Sequence, residues 1–211
     1  MSISIYLIDD HTLVRTGLKM ILVPETDIEI VGEASRGEDA LPEIRKLKPD
    51  IVLCDLHLPG ISGLEVTERI VRGGYGCRVI IVSVLEDGPL PKKLLDVGAY
   101  GYIGKAGDAQ ELLNAIRRVF EGKRFLGSSI AQNMALSNLE GGKSPFDMLS
   151  PRELEVAMLL AQGLRQENIA KRLCLSSKTV NTHKSRLFQK LEITDTVTLV
   201  RMAAQYGLID L

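Results

Sequence analysis

Residues 51–63 read IVLCDLHLPGISG. The apolar run Ile51–Cys54 breaks off abruptly at a carboxylate, Asp55. A run this short, near-continuous and rich in β-branched residues suits a strand buried on both faces. Working outward, four more such runs lie at Ile3–Ile8, Ile28–Glu33, Val79–Val82 and Tyr100–Ile103. The segments between them carry helical spacing, as in Leu13, Gly17, Leu18 and Ile21, or Leu112, Leu113, Ile116, Val119 and Phe120. Strands alternating with helices predict an α/β fold, a doubly wound five-stranded parallel sheet with right-handed crossovers. Pro42 falls inside the second helical pattern, where a proline costs about 3 kcal/mol. That helix is therefore expected to begin near Leu41 or to bend there.

The ends of the strands carry the chemistry. The first run ends in Asp9-Asp10, the third in Asp55, the fourth in Ser83 and the fifth in Gly104-Lys105. Ligands of open α/β sheets sit beyond the carboxyl ends of the strands, at the switch point of the topology. Three carboxylates, a hydroxyl and an ammonium are thus expected in one place. Two carboxylates 4 Å apart repel by roughly 4 kcal/mol at an effective dielectric near 20. Such a cluster needs a cation, raised pKa values, or both. Oxygen donors favour a hard ion, and an open site suits Mg²⁺. A strand-end aspartate alone usually caps a helix, and a lone lysine usually sits at the surface. Four strand ends each supplying a suitable group are not explained that way.

Over residues 1–122 this spacing resembles the receiver domain of two-component response regulators, a CheY-like, flavodoxin-like fold. The resemblance implies that Asp55 accepts a phosphoryl group from a phosphohistidine on a sensor histidine kinase. It implies Mg²⁺ held by Asp10, Asp55 and the backbone carbonyl of His57, with Asp9 acting partly through water. Ser83 corresponds to the hydroxyl that binds the phosphoryl group, Tyr102 to the switch aromatic, and Lys105, in GYIGK, to the family's lysine. Inward movement of Ser83 would leave space for Tyr102 to fill. Serine, where the family more often has threonine, keeps the donor but drops a methyl group, which implies a looser switch.

Charge divides the chain. Its 211 residues are 45% hydrophobic and 25% charged with a net charge of -1, a globular composition. Residues 1–125 carry 16 basic and 19 acidic side chains, whereas residues 148–211 carry 9 and 6. Cys54, Cys77 and Cys174 are too few for a disulfide framework or a zinc site. MSISIYLIDD has no basic start and no apolar run reaches the roughly 18 residues of a membrane span, so a cytoplasmic protein with no membrane partner is expected. Residues 126–147 have linker chemistry in Ser128-Ser129, Gly141-Gly142 and Ser144-Pro145, with a short helix expected over Ile130–Leu139. The expected organisation is 1–125, a tether over 126–147, and 148–211.

The second half opens with a strong helix start: Ser150 as N-cap, Pro151 at the first position and Glu153 completing a capping box. Gly163 is placed as its stop. Further helices are expected over Gln166–Leu173, after the turn Cys174-Leu175-Ser176 to Leu191, and over Asp195–Tyr206. Helix, short turn, helix is the helix-turn-helix arrangement. In the third helix Val180, Leu187 and Leu191 should face the core, leaving Asn181, Thr182, Ser185 and Arg186 outward. From Lys171 to Lys190 there are six basic residues and no acidic one. A charge run is commonly a solvated face, but this one falls on the helix expected in the major groove.

Residues 148–208 resemble the four-helix LuxR/FixJ (NarL-type) DNA-binding domain, through LSPRELEVAMLLAQGL and IAKRLCLSSKTVNTHKSRLFQKL. This implies base contacts from Asn181, Thr182 and Ser185, and phosphate or mixed contacts from Lys178, Thr179, Lys184 and Arg186. His183, three residues after Val180, reads as partly buried or as a DNA ligand. Val197, Val200, Ala203 and Ala204 resemble the family's dimerisation helix, core packing being the alternative use. Within the family the DGPLP segment, the IAQNMALS linker and the SPF before the DNA-binding half resemble the GacA/UvrY type. That likeness implies a BarA/GacS-like kinase and a global regulator acting through small regulatory RNAs.

The expected function is a transcription factor, not an enzyme, in which phosphorylation of Asp55 controls homodimerisation and promoter DNA binding. The receiver is expected to mask the DNA-binding half at rest. A Mg²⁺-dependent aspartyl-phosphate phosphatase would need a DxD motif and a cap domain, and would leave the basic half unexplained. A pseudo-receiver would not need the full set Asp9, Asp10, Asp55, Ser83 and Lys105.

Overall fold

A computed structural model describes residues 2–86, 88–139, 144–173 and 175–209. Asp87 of DGPLP, residues 140–143 with the Gly141-Gly142 pair, and Cys174 of the expected turn lie outside the described residues. Contacts divide the chain into two compact units, Met1–Glu86 with Leu94–Gln132, and Asp87–Lys93 with Asn133–Leu211.

The first unit is built on a parallel sheet of β1 (Ile3–Ile8), β2 (Ile28–Ala34), β3 (Ile51–Asp55), β4 (Arg78–Ser83), β5 (Gly101–Gly104) and β6 (Phe125–Leu126). Its order is β2-β1-β3-β4-β5-β6. The helices α1 (Thr12–Leu22), α2 (Gly37–Leu47), α3 (Gly63–Arg72), α4 (Leu90–Val97) and α5 (Ala109–Phe120) make the crossovers. The first five strands match the apolar runs. β3 is buried throughout, as its continuous pattern requires, while β2 lies at the sheet edge and is half-exposed. On one face Ile5, Leu7, Ile51, Leu53, Ile80 and Ile103 pack with Leu22 of α1 and with Leu112, Ile116 and Val119 of α5. Each such burial stabilises by about 1.5–3 kcal/mol, an upper bound for an extended unfolded chain. Tyr6 points to the other face, where its hydroxyl donates to Glu43 of α2 at 2.7 Å.

Two expectations are corrected in this unit. The sheet has six strands rather than five: β6 pairs Phe125 with Gly101 and Leu126 with Tyr102. Two residues are too few to show a period of two, so only the pairing reveals this strand. Of the two alternatives for the second helix, the start near Leu41 is excluded: it begins at Gly37, with Pro42 inside it. Burial of Ala40, Leu41 and Ile44 offsets the one backbone bond that proline cannot make.

Helix α6 (Ser128–Leu139) also starts two residues before the expected Ile130. The Glu111 carboxylate of α5 accepts from the Ser128 amide at 2.8 Å and from its hydroxyl, so a side chain from another helix caps this one. Ile130 is fully buried.

In the second unit a 3-10 turn, Pro145–Met148, leads into α7 (Pro151–Ala161), α8 (Gln166–Arg172), α9 (Ser177–Leu191) and α10 (Thr196–Gln205). The capping box of Ser150 and Glu153 is present in both directions. Gly163 and Gly207 have φ of +80° and +63°, conformations that stop a helix at little cost only in glycine. Arg152 of α7 donates to the Leu173 carbonyl at 2.8 Å, and Gln166 of α8 to the Ser177 carbonyl at 2.7 Å, which fix the angle between the paired helices. Among the described residues no helix is long and apolar enough to cross a membrane.

Candidate functional site

β1 and β3 are neighbours whose crossovers leave in opposite directions, so a crevice opens beyond their carboxyl ends. Asp9 follows β1 and Asp55 ends β3; they are 2% and 4% exposed. Lys105, one residue past β5, reaches across and donates to Asp9 Oδ2 at 2.7 Å and Asp55 Oδ2 at 3.1 Å. The Asp9 and Asp55 carboxylates and the Lys105 ammonium therefore meet in one cluster. Asp10, more open to solvent, stands beside Asp9, and carboxylate oxygens of Asp9, Asp10 and Asp55 lie within 4.8 Å of one another.

The electrostatics follow from this crowding. Burial, and then the neighbouring Asp9 carboxylate, raise the Asp55 pKa against the pull of Lys105. Burial works against the Lys105 ammonium, but its hydrogen bonds to Asp9 and Asp55 and their charges outweigh it, and the pKa is raised. Three carboxylates against one ammonium leave two negative charges, which a divalent cation would balance. An all-oxygen carboxylate set suits Mg²⁺, so these residues fit the ion. His57 lies half-buried on the loop two residues after Asp55, near enough for its charge to lower the Asp55 pKa.

The backbone around Asp55 is held closely. A Cβ on Gly63 would stand 2.1 Å from the Asp55 carbonyl oxygen, so the start of α3 needs glycine to approach the strand end. Gly63 donates its amide to Leu56 at 2.9 Å, and Arg15 of α1 donates to the Asp9 carbonyl at 2.6 Å. Ser83 is fully buried at the end of β4, its hydroxyl accepting from the Leu85 amide at 3.1 Å. Tyr102 is also fully buried and donates to the Leu85 carbonyl at 2.5 Å. Burial raises its pKa. The ring thus already occupies the inward position, its hydroxyl meeting the β4–α4 segment that begins at Ser83.

Sequence reasoning passed over two contributors. Arg15 sits one helical turn past the acidic pair, in a position readable only once α1 is drawn. His11 follows the pair directly; its Nδ1 is 2.9 Å from Asp10 Oδ1 and 3.4 Å from Asp9 Oδ1. The adjacency Asp9-Asp10-His11 was the available signal.

In the second unit α9 buries Val180, Leu187 and Leu191 as expected. Lys178, Asn181, Thr182, Ser185 and Arg186 are exposed along it, and Thr179 and Lys184 are half-exposed. Some of these groups have internal partners. The Thr179 hydroxyl lies 2.7 Å from that of the N-cap Ser176, the Thr182 hydroxyl donates to the Lys178 carbonyl at 3.0 Å, and the Lys184 ammonium stands 5.2 Å from the Phe188 ring centre. Lys190, counted in the basic run, is fastened to the buried Glu153 at 2.6 Å. His183 is half-buried; burial, then the charge of Arg152, lower its pKa. On α10 Val197 is 63% exposed and Val200 and Ala204 are half-exposed, whereas Ala203 is fully buried. Ala203 is therefore withdrawn from the expected dimer surface: it falls on the Leu199 face and packs in the domain's own core.

Comparison with known proteins finds a family match in each half of the chain. Residues 5–117 match the response regulator receiver domain, and residues 147–203 match the bacterial regulatory proteins of the luxR family. The response regulator GacA of Pseudomonas aeruginosa is 42% identical over 210 residues, 99% of this chain and 98% of that protein. The response regulator UvrY of Escherichia coli is 44% identical over 208 residues, 98% of this chain and 95% of that one. Among solved structures, that of the two-component response regulator RcsB in complex with DNA is 25% identical, covers 97% of this chain and 98% of its own, and has a TM-score of 0.63.

Proposed function

Because the chain belongs to the two-component response regulators that join a receiver domain to a LuxR-type DNA-binding domain and regulate transcription, we propose that Asp55 is its phosphoryl acceptor. The carrying observation is the reach of Lys105 to the Asp9 and Asp55 carboxylates in one crevice. Phosphoryl transfer asks the protein chiefly for positioning and for charge neutralisation on the phosphoryl oxygens. The Asp55 carboxylate is held in place by β3 and the close approach of Gly63, and attacks the phosphorus of a phosphohistidine in line with the departing imidazole nitrogen. Lys105 exchanges part of its contact with Asp55 for a phosphoryl oxygen. Asp9, Asp10 and Asp55, with the His57 carbonyl, would hold Mg²⁺, which supplies positive charge to the phosphoryl oxygens. The Ser83 hydroxyl gives up the Leu85 amide and donates to the phosphoryl group. The Tyr102 hydroxyl, bonded to Leu85, links that rearrangement to the face of β5 and its flanking helices.

On this reading the output is promoter binding by a homodimer. Asn181, Thr182 and Ser185 contact base edges; Lys178, Thr179, Lys184 and Arg186 contact phosphates; Val197, Val200 and Ala204 supply the partner surface of α10. The phosphodonor is a BarA/GacS-like sensor histidine kinase, supported by the near full-length identity to GacA and UvrY. The domains are 1–125 and 148–211, and the first masks the second until Asp55 is phosphorylated. Incubation of wild type and Asp55→Ala with acetyl phosphate and Mg²⁺, read on a phosphate-affinity gel and by promoter binding, tests the proposal. A retarded species that is absent from the variant and binds DNA more tightly is expected. A retarded species in both proteins, or unchanged DNA binding, would overturn it.

A further inference from the structure

We infer that His11 is a nitrogen ligand of the cation site, and that it makes this chain favour borderline divalent ions such as Ni²⁺ over Mg²⁺. The inference rests on the reading that Asp9, Asp10 and Asp55 hold a divalent cation.

The backbone first places the ring. His11 is the N-cap of α1, in an extended conformation (φ -86°, ψ 109°). Its amide donates to Asp9 Oδ1 at 2.8 Å, which pins the residue to the acidic pair. Its side chain makes no capping bond to α1, so the ring is free of the commonest use of an N-cap side chain. Instead Nδ1 faces the carboxylates, and one ligand atom each from Asp9, Asp10, His11 and Asp55 all lie within 4.8 Å of one another.

The Asp9 carboxylate divides its two oxygens between different partners. Lys105 contacts the Oδ2 atoms of Asp9 and Asp55, whereas the imidazole faces Oδ1 of Asp9. Ligand atoms bound at about 2.1 Å from one ion stand no more than about 4.2 Å apart, so the four need contract only by about half an ångström. His11 is 66% exposed, so its ring turns into the site without disturbing the core. On metal binding Nδ1 gives up its contact with Asp10 Oδ1 and, if protonated, releases that proton to solvent.

The donor set then decides the preference. Mg²⁺ takes oxygen donors and keeps its waters, gaining little from an imidazole. Nickel, copper and zinc bind imidazole well, whereas magnesium is suited by carboxylate, carbonyl and water oxygens. A site of three carboxylates alone would show a smaller preference. His11 is thus a specificity-determining residue: the ion that the carboxylates recruit by charge is sorted by the ring.

Calorimetric titration of the untagged full-length chain with Ni²⁺ and, separately, Mg²⁺ tests this, using wild type, His11→Ala and His183→Ala. The expected result is a loss of at least about tenfold in Ni²⁺ affinity for His11→Ala, with Mg²⁺ affinity unchanged and His183→Ala binding both ions as wild type does. An equal loss for both ions would mean that His11 only orients Asp10, and would overturn the inference. So would an unchanged Ni²⁺ affinity, or a loss that follows His183→Ala instead. Mg²⁺-dependent labelling of Asp55 in the same proteins separates the two levels. If labelling persists while the nickel result fails, the inference about His11 falls alone; if wild type binds neither ion, the cation-site reading falls with it.

Discussion

Replacing Lys105 by methionine keeps much of the side-chain volume and removes the single cation shared by Asp9 and Asp55. Wild-type Lys105 is 14% exposed and its contacts are 2.7 and 3.1 Å long, so solvent screens them weakly. The gross attraction of each pair is about 5–6 kcal/mol at an effective dielectric of 20, but desolvation of the three groups cancels much of it. What the variant suffers is two nearly buried carboxylates left uncompensated, and removing one partner of such a group costs about 3–5 kcal/mol. The mouth of the crevice is open to water, so a loss near about 3 kcal/mol is expected for the receiver transition. Acidification neutralises the stranded carboxylates. The deficit should therefore be largest at neutral pH and shrink as pH falls into the carboxylate range, with the variant's Asp55 protonating earlier on the way down than in wild type. Divalent cation should restore part of the loss by supplying the missing charge. Urea denaturation followed by circular dichroism, at neutral and mildly acidic pH with and without Mg²⁺, measures all three. A variant as stable as wild type at neutral pH, or a deficit that grows on acidification, would refute the argument.

Further expectations concern single sites. Asp55→Asn should stabilise the metal-free chain: burial and Asp9 raise the Asp55 pKa, so the native state binds more protons than the unfolded one between the unfolded and folded pKa values, and wild-type stability falls as pH rises through that window. The advantage of the asparagine variant should accordingly widen with pH in paired thermal melts and vanish below the ordinary carboxylate range. Gly63→Ala should displace the Asp55 backbone, since the clash at 2.1 Å is with main chain rather than with a flexible side chain, costing about 1–3 kcal/mol and most of the acyl phosphate yield. Substituting Arg186 or Lys178 by alanine should lower the salt slope of DNA binding by about one unit, whereas Asn181→Ala should cost about 1–3 kcal/mol and relax preference at one base position. Fluorescence anisotropy across a salt series and a panel of site variants distinguishes them.

The parts legible in the sequence were those written in local pattern. Ile51–Cys54 and its four counterparts are continuous enough to identify buried strands, and chain topology then obliges Asp9, Asp55 and Lys105 to meet. Ser150, Pro151 and Glu153 announce a helix start through backbone hydrogen bonding within four residues. The parts missed depend on partners distant in the chain. Phe125–Leu126 becomes a strand only because β5 offers an open edge. Glu111 caps α6 from another helix, and Pro42 is tolerated because its helix buries Ala40, Leu41 and Ile44. Ala203 shares the spacing of a surface stripe with Val200, but rotation of α10 about its axis turns it inward with Leu199. His11 was legible as an adjacency but not as a direction: the side-chain orientation comes from the extended N-cap backbone.

The claim beneath the whole account is that separate strand ends build a single phosphoryl-accepting carboxylate at residue 55. Treatment of the full chain with acetyl phosphate and Mg²⁺, reduction of the acyl phosphate by borohydride and peptide mass mapping reads the position directly. The account predicts homoserine at position 55 and nowhere else, formed only when Mg²⁺ is present. Reduction product at Asp9 or Asp10, or none at all in a protein that remains folded and binds Mg²⁺, would contradict it.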